Sequence, residues 1–438
     1  MTATRITAVR GRRVWDSRGR PTVEAEVSLA GGASGRAIAP AGASTGSGEA
    51  VDLRDGGERF GGLDVTRAVA SVNEPIAKVL SGLDAADQAG VDGALCGLDG
   101  TPNKAKLGAN ATCAVSMAAA HAAAAAAGLP LWRWLGGEEA VTLPLPEIQI
   151  LGGGAHAAGR LDVQDFLVVC PGASTFAEAL DWTAEVYRAA GRLLADAGRL
   201  KGVADEGGFW PEFDSNEDAL ALLSRAIERA GFRAPDQVAI ALDVAATQLG
   251  RDGRYRLARE GRELDTDGMI GVLESWLARY PIVSVEDPLA EDDPQGFVRF
   301  TARNAVRVQV VGDDFLVTDA DRVRAAAQTG ACTTVLLKPN QRGTLTETRA
   351  AWEAAKAYGL GGIVSARSGE SEDVTIVHLA VGWGVPQLKV GSFTRSERTA
   401  KWNEGLRIEE ALAPRARFAG RAALERRPAA PGMGSAGS

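Results

Sequence analysis

Short apolar runs that each stop at a charged residue recur through the second half of this chain, and that recurrence limits the fold more than any other feature. Val308–Val311 leads into Asp313, and Thr333–Leu337 leads into Lys338. ALDVAAT places Asp243, and IVSVEDPL places Glu286, after similar β-branched runs. A lone lysine behind a buried strand is ordinarily a solvated strand end. Three carboxylates and a lysine sharing one position type mean something else, because the C-terminal ends of successive parallel strands converge on the top face of a (β/α)8 barrel. Asp243, Glu286 and Asp313 are hard oxygen donors suited to Mg2+, which takes carboxylates and keeps room for water or substrate. The pattern predicts a metal site with an amine beside it.

The chain has 438 residues, more than one ordinary core accommodates, so a barrel of about 250 residues plus a smaller domain is the natural division. A formal net charge of −8, with mixed signs along the chain and no basic stripe carrying aromatics, argues against a nucleic-acid partner. Cys96, Cys113, Cys170 and Cys332 are widely separated in apolar contexts and follow no ligand spacing, which reads as reduced core thiols of a cytoplasmic protein. The start, MTATRITAVRGRR, has no apolar core of the kind secretion uses. The run from Ala111 to Gly128 is mostly alanine, too weakly apolar for a membrane span, and is expected to be a buried helix.

In chain order, ITAVRGRRVWD, TVEAEVSLA and GRAIAPA form an antiparallel meander joined through SRGRP. Gly42–Gly46 is a small-residue loop, either a surface linker or a mobile lid whose glycines allow close approach to a ligand. Glu49–Arg54 after it is expected to be a short helix. Val65 to Leu135 has helical periodicity. From Leu143 a strand-then-helix rhythm begins, with strands in LPEIQILGG and LDVQDFLVVC and helices over Thr175–Gly198 and Glu217–Ala230, which argues for a parallel barrel. GGGAH at 152–156 lacks the spacing of a dinucleotide phosphate loop. The fold expected is α/β, a modified (β/α)8 TIM-type barrel over 141–415 behind an α+β capping domain over 1–140. A Pro/Gly/Ser/Ala tail over 416–438 is expected to be disordered.

WDSRGRPTVEAEV, GASTG, DGTPNKAKLGANA, ADEGGFWP, ALDVAAT, VEDPL, VGDDFLVT, LLKPNQRGTLTET, SARSGESED and GSFTRSERTAKWNEGLRIEEAL together resemble the enolase family, colinearly from about residue 5 to 412. The resemblance implies a capping domain, a modified barrel, a homodimer and Mg2+-dependent interconversion of 2-phosphoglycerate and phosphoenolpyruvate with two ions. By residue, it implies Asp243, Glu286 and Asp313 as ligands of one magnesium and Ser44 of the loop as a ligand of the second. Lys338 matches the base that removes the C2 proton, and Glu206 the acid that helps the 3-hydroxyl leave. Lys389 matches the lysine beside the substrate carboxylate, Arg367 and Ser368 the phosphate contacts, and His156 and Gln164 residues lining the site. Cations near Lys338 are expected to lower its pKa toward that of a base.

Several positions depart from the family pattern, and all are expected near the site rather than on the surface. Ala366 stands where enolases carry a histidine, and Asp165 where they carry a glutamate. GGGAHA followed by Gly159-Arg160 replaces the usual glycine-rich segment and its asparagine, and Pro339 and Arg342 replace an apolar pair. A histidine inside a closed site is worth roughly 2–4 kcal/mol of transition-state stabilisation when it donates to developing charge. Three readings follow: a housekeeping enolase, an enolase-derived enzyme of phosphonate or phosphinate metabolism of the carboxyphosphonoenolpyruvate synthase kind with a phosphonate co-substrate, and a non-catalytic scaffold. The retained carboxylates and lysines argue against the scaffold.

Overall fold

A computed structural model of the chain describes residues 3–425. The N-terminal unit opens with three antiparallel strands, Ile6–Trp15, Pro21–Leu29 and Ser34–Ile38, paired in that order. The alanine-rich run is the helix Ala109–Ala126, buried along nearly its whole length. Alanine suits this place because it lets the helix backbone lie against the sheet. A Cβ on Gly35 would come 2.1 Å from the Ala122 nitrogen, so only glycine fits beneath the helix.

Eight strands then close into a barrel in sequence order: Leu145–Gly152, Asp165–Val169, Ala239–Asp243, Ile282–Glu286, Gln309–Gly312, Thr334–Leu337, Gly361–Ser365 and Gln387–Ser392. The barrel is not all parallel, as the strand-helix rhythm suggests. The second strand runs antiparallel to both neighbours. The segment 153–164 between the first two strands holds only the short turn Gly154–Ala157, too little chain for the helical crossover a parallel pair needs, so the chain returns as a hairpin. Both helices Phe176–Asp196 and Asn216–Arg229 follow that strand before the third begins.

Thr175 and Ser215 cap these two helices by accepting from the backbone N–H three residues on, and Thr344 does the same for Leu345–Ala357. Trp352 and Trp402 are almost wholly buried between helices and barrel. Truncating either to alanine would cost about 3–5 kcal/mol.

Two further expectations fail. Glu49–Arg54 is not helical, because its backbone donors are taken by other elements: Ala50 N–H by the Gln341 carbonyl, Val51 N–H by the Asn103 carbonyl and Leu53 N–H by Asn110 Oδ1. The tail is ordered as far as it is described. Arg417–Phe418 pairs in parallel with Thr142–Leu143, and a turn over Gly420–Leu424 follows. The rest of that segment, 426–438, lies outside the described residues.

Candidate active site

Strand register assembles the first row of the site. Asp243 ends the third strand directly opposite Glu286 at the end of the fourth, and Asp165 pairs with Asp243 from the other side. Asp165 reaches this face only because its strand is reversed, which puts the strand's beginning at the top of the barrel. Lys389, on the eighth strand, lies 2.7 Å from Asp243 Oδ2 and 2.8 Å from Glu286 Oε2, with Asp165 Oδ2 at 3.8 Å. Gln164 Nε2 donates to Asp243 Oδ2 at 2.9 Å. Lys338, just past the sixth strand, contacts Asp313 Oδ2.

Asp165, Asp243, Lys338 and Lys389 line one small cleft together with Gly42, Ser44, His156, Gln164, Glu206, Ala366, Arg367 and Ser368. Its walls are polar and buried: Asp165 is 0 %, Asp243 2 % and Arg367 3 % exposed.

Burial on its own would lower Lys389, but Asp243, Glu286 and Asp165 outweigh it and keep the amine well above the ordinary lysine range. Lys338 is likewise raised. Burial, Arg367 and Lys389 pull it down, yet Asp313 and Glu286 prevail. Glu286 is pushed well up by burial and by Asp243. Asp313, against the effect of burial, is held down by Lys338.

At the hairpin corner, His156 Nδ1 meets Asp165 Oδ1 at 3.0 Å and its Nε2 lies 3.8 Å from Glu206. Burial opposes the charged imidazole, but Asp165 and Glu206 raise it to about 9. Asp165 is held at about 2 by His156 despite its burial. Glu206 is raised, mainly by burial, with Asp165 adding to the rise and His156 opposing it.

On the opposite side, the Arg367 guanidinium binds the Glu49 carboxylate twice, at 3.0 and 3.1 Å, and also donates to Asn340 Oδ1 and the Ser44 carbonyl. The small-residue loop therefore packs onto the arginine, and a Cβ on Gly42 would fall 2.0 Å from its Nη2. Ser368 Oγ accepts from Arg18 at 3.3 Å. Beneath this segment the fully buried Arg398 donates to the carbonyls of Arg367, Ser368 and Val390.

The donor set fits a hard divalent cation. The predicted ligands are oxygens only, and Glu286 Oε1 and Asp165 Oδ2 are buried without a hydrogen-bond partner. Lys389 stands between Asp243 and Glu286, and Lys338 contacts Asp313. The sets whose ligand atoms come within 4.8 Å of one another among the described residues are Asp287/Asp313/Asp314 and His156/Asp165/Glu206.

Two of the sequence departures also lie elsewhere. Arg342 pairs with Asp319 at 2.9 Å, and Arg160 sits over the Trp210 ring at 4.8 Å; neither lines the cleft. Ala366 and Asp165 do line it. Sequence reasoning missed Glu49, Gln341, Arg398, Glu147 and Gln149. For the last two a signal existed, since LPEIQIL places polar residues at alternate positions of an otherwise apolar strand, aimed at one face. Gln149 donates to Asp165 and accepts from Gly208 N–H.

Among the described residues no single helix is long and apolar enough to cross a membrane. The family model for the enolase N-terminal domain matches residues 6–135, and that for the enolase C-terminal TIM barrel domain matches residues 140–427.

Proposed function

The chain belongs to the enolase family, and from that premise we propose that it removes the C2 proton of a small phosphorylated three-carbon acid of the 2-phosphoglycerate/phosphoenolpyruvate class. Its pocket has diverged toward phosphonate or phosphinate metabolism, as in a carboxyphosphonoenolpyruvate synthase. The observation carrying the reading is that Lys338 and Glu206 line one cleft from different elements while Lys389 stands between Asp243 and Glu286.

Asp243, Glu286 and Asp313, with Ser44 from the loop, would hold two Mg2+ ions, whose charge stabilises the dianionic enolate and offsets the carboxylates that otherwise keep Lys338 protonated. Lys338 takes the C2 proton, and Lys389 neutralises the substrate carboxylate. Glu206, raised by burial, carries the proton that the departing 3-hydroxyl needs. Arg367 and Ser368 bind the phosphate, and His156, with Gln164 and Asp165, fixes the corner around Glu206. A homodimer in the cytoplasm, the family's usual state, is proposed with it.

The divergence rests on Ala366 and Asp165. Ala366 leaves room beside Arg367 and Ser368 for a larger or additional anion. The test is turnover of 2-phosphoglycerate with Mg2+, alone and with a phosphonate co-substrate. The unaltered protein should turn over 2-phosphoglycerate poorly, and Ala366→His with Asp165→Glu should raise that rate by roughly tenfold or more. A fast enolase whose rate falls when the histidine is put back would instead be a housekeeping enzyme.

A further inference from the structure

Gln341 occupies the short helix Pro339–Arg342 directly behind Lys338 and is 0 % exposed. Its three polar contacts run in three directions. Nε2 donates to Asp313 Oδ1 at 2.9 Å and to Glu49 Oε1 at 3.3 Å, and its carbonyl oxygen accepts from Thr318 Oγ1 at 2.6 Å. The amide orientation follows from its partners, because the reverse would set an oxygen against two carboxylates. Thr318 Oγ1 in turn accepts from Lys338 N–H at 3.0 Å, and the Gln341 backbone carbonyl accepts from Ala50 N–H at 2.8 Å.

Glu49 is the other end of the linkage. Its carboxylate holds Arg367 in a double ion pair and accepts from Gly46 N–H at 3.2 Å, so it fixes the loop that carries Ser44. One buried amide thus touches the base's ionic partner on one side and the carboxylate anchoring the loop on the other. A glutamate there would offer no donor to either, and a methionine would leave Asp313 and Glu49 each short of a hydrogen bond.

Resting on the function proposed above, we propose that Gln341 is the positioning residue that couples closure of the 41–49 loop to the placement of the Lys338–Asp313 pair. Neither Gln341 nor Glu49 needs to touch substrate for this. Loss of the linkage frees the loop and misplaces the base together.

Hydrogen–deuterium exchange tests the coupling without reference to turnover. In Gln341→Met the protected amides of Gly46, Glu49 and Ala50 should exchange roughly tenfold faster, the equivalent of one hydrogen bond to a charged group. Amides of the distant helix Phe176–Asp196 should not change. Glu49→Gln should speed the same loop amides, and also that of Lys338, which it does not contact. The double variant should exchange no faster than the faster single variant, because both break one linkage. With 2-phosphoglycerate, both variants should lower kcat more than they raise KM. Unchanged loop exchange in a folded Gln341→Met protein, or single effects that multiply in the double variant, would overturn the coupling. If Gln341→Met does not fold, Glu49→Gln decides alone: a Lys338 amide at the unaltered rate overturns it. Failure of the unaltered protein to convert 2-phosphoglycerate, alone or with a phosphonate co-substrate, would count against the proposed reaction only, since the exchange result stands apart from it.

Discussion

The parallel strands and the reversed hairpin form two sides of the same cleft with opposite charge economies. On the parallel side two lysines stand against Asp243, Glu286 and Asp313, each ammonium in direct contact with a carboxylate. At the hairpin corner a single imidazole serves both Asp165 and Glu206, at 3.0 and 3.8 Å. The nearer carboxylate takes the benefit and is held at about 2, while Glu206 is raised. The parallel side therefore sets two ammonium groups against its carboxylates, whereas at the corner one imidazole faces two carboxyl groups, of which the buried Glu206 is raised. Under the reaction proposed above, Lys338 and Glu206 would take the base and acid roles that proton removal at one carbon and hydroxyl loss at the next require.

The largest expected effect separates those two roles. Lys338→Ala should slow exchange of the substrate C2 proton with solvent by roughly 10²–10⁴-fold, the usual worth of a general base, as read by NMR. Glu206→Gln should leave that exchange running and lose the elimination step. Equal loss of exchange in both variants would erase the difference between the two sides.

Stability gives the next contrast. Lys389→Met leaves Asp243 and Glu286 facing each other without their shared cation and should cost about 3–5 kcal/mol in urea unfolding at neutral pH. His156→Gln should cost less, roughly 1–3 kcal/mol, because Asp165 keeps Gln149 and lies 3.8 Å from Lys389. A larger loss at His156 than at Lys389 would reverse the comparison.

The smallest effect is a pH dependence. His156 is raised from 6.5 to about 9, so its stabilising contribution is complete below 6.5 and is lost as pH rises through 9. Asp165 is depressed from 3.8 to about 2, so its contribution is present above 3.8 and lost as pH falls through 2. The stability gap between the unaltered protein and His156→Gln should be widest at about pH 4–6.5 and close as pH rises through 9. A gap that is flat from pH 6 to 10 would mean that the pair is not ionic.

The two sides also differed in how legible they were. Asp243, Glu286, Asp313 and Lys338 could be read directly because in a strand-helix repeat the last residues of each strand share one end of the barrel. Gln164 and Asp165 begin a strand, and in the all-parallel barrel that the rhythm suggested they would sit at the opposite end; the family resemblance named them, but the hairpin return is what brings them to the site. Glu49 fell in a stretch read as helical, since helix-forming residues outnumber breakers there. Its backbone donors go to Gln341, Asn103 and Asn110, partners remote in sequence. Arg342 and Arg160 looked like pocket residues from their neighbours in the chain, yet their long side chains turn to Asp319 and Trp210.

By itself the sequence determined the repeating strand-helix order, the buried alanine helix, the carboxylates and lysines at strand ends and the family they belong to. These follow from local pattern and chain order, which a single sequence contains. Tertiary structure decided which carboxylate each amine pairs with, that the second strand is reversed, and that Gln341 bridges Glu49 and Asp313. Pair distances in a buried site depend on register and packing between segments far apart in the chain, and electrostatic strength in a buried cleft changes steeply with those distances.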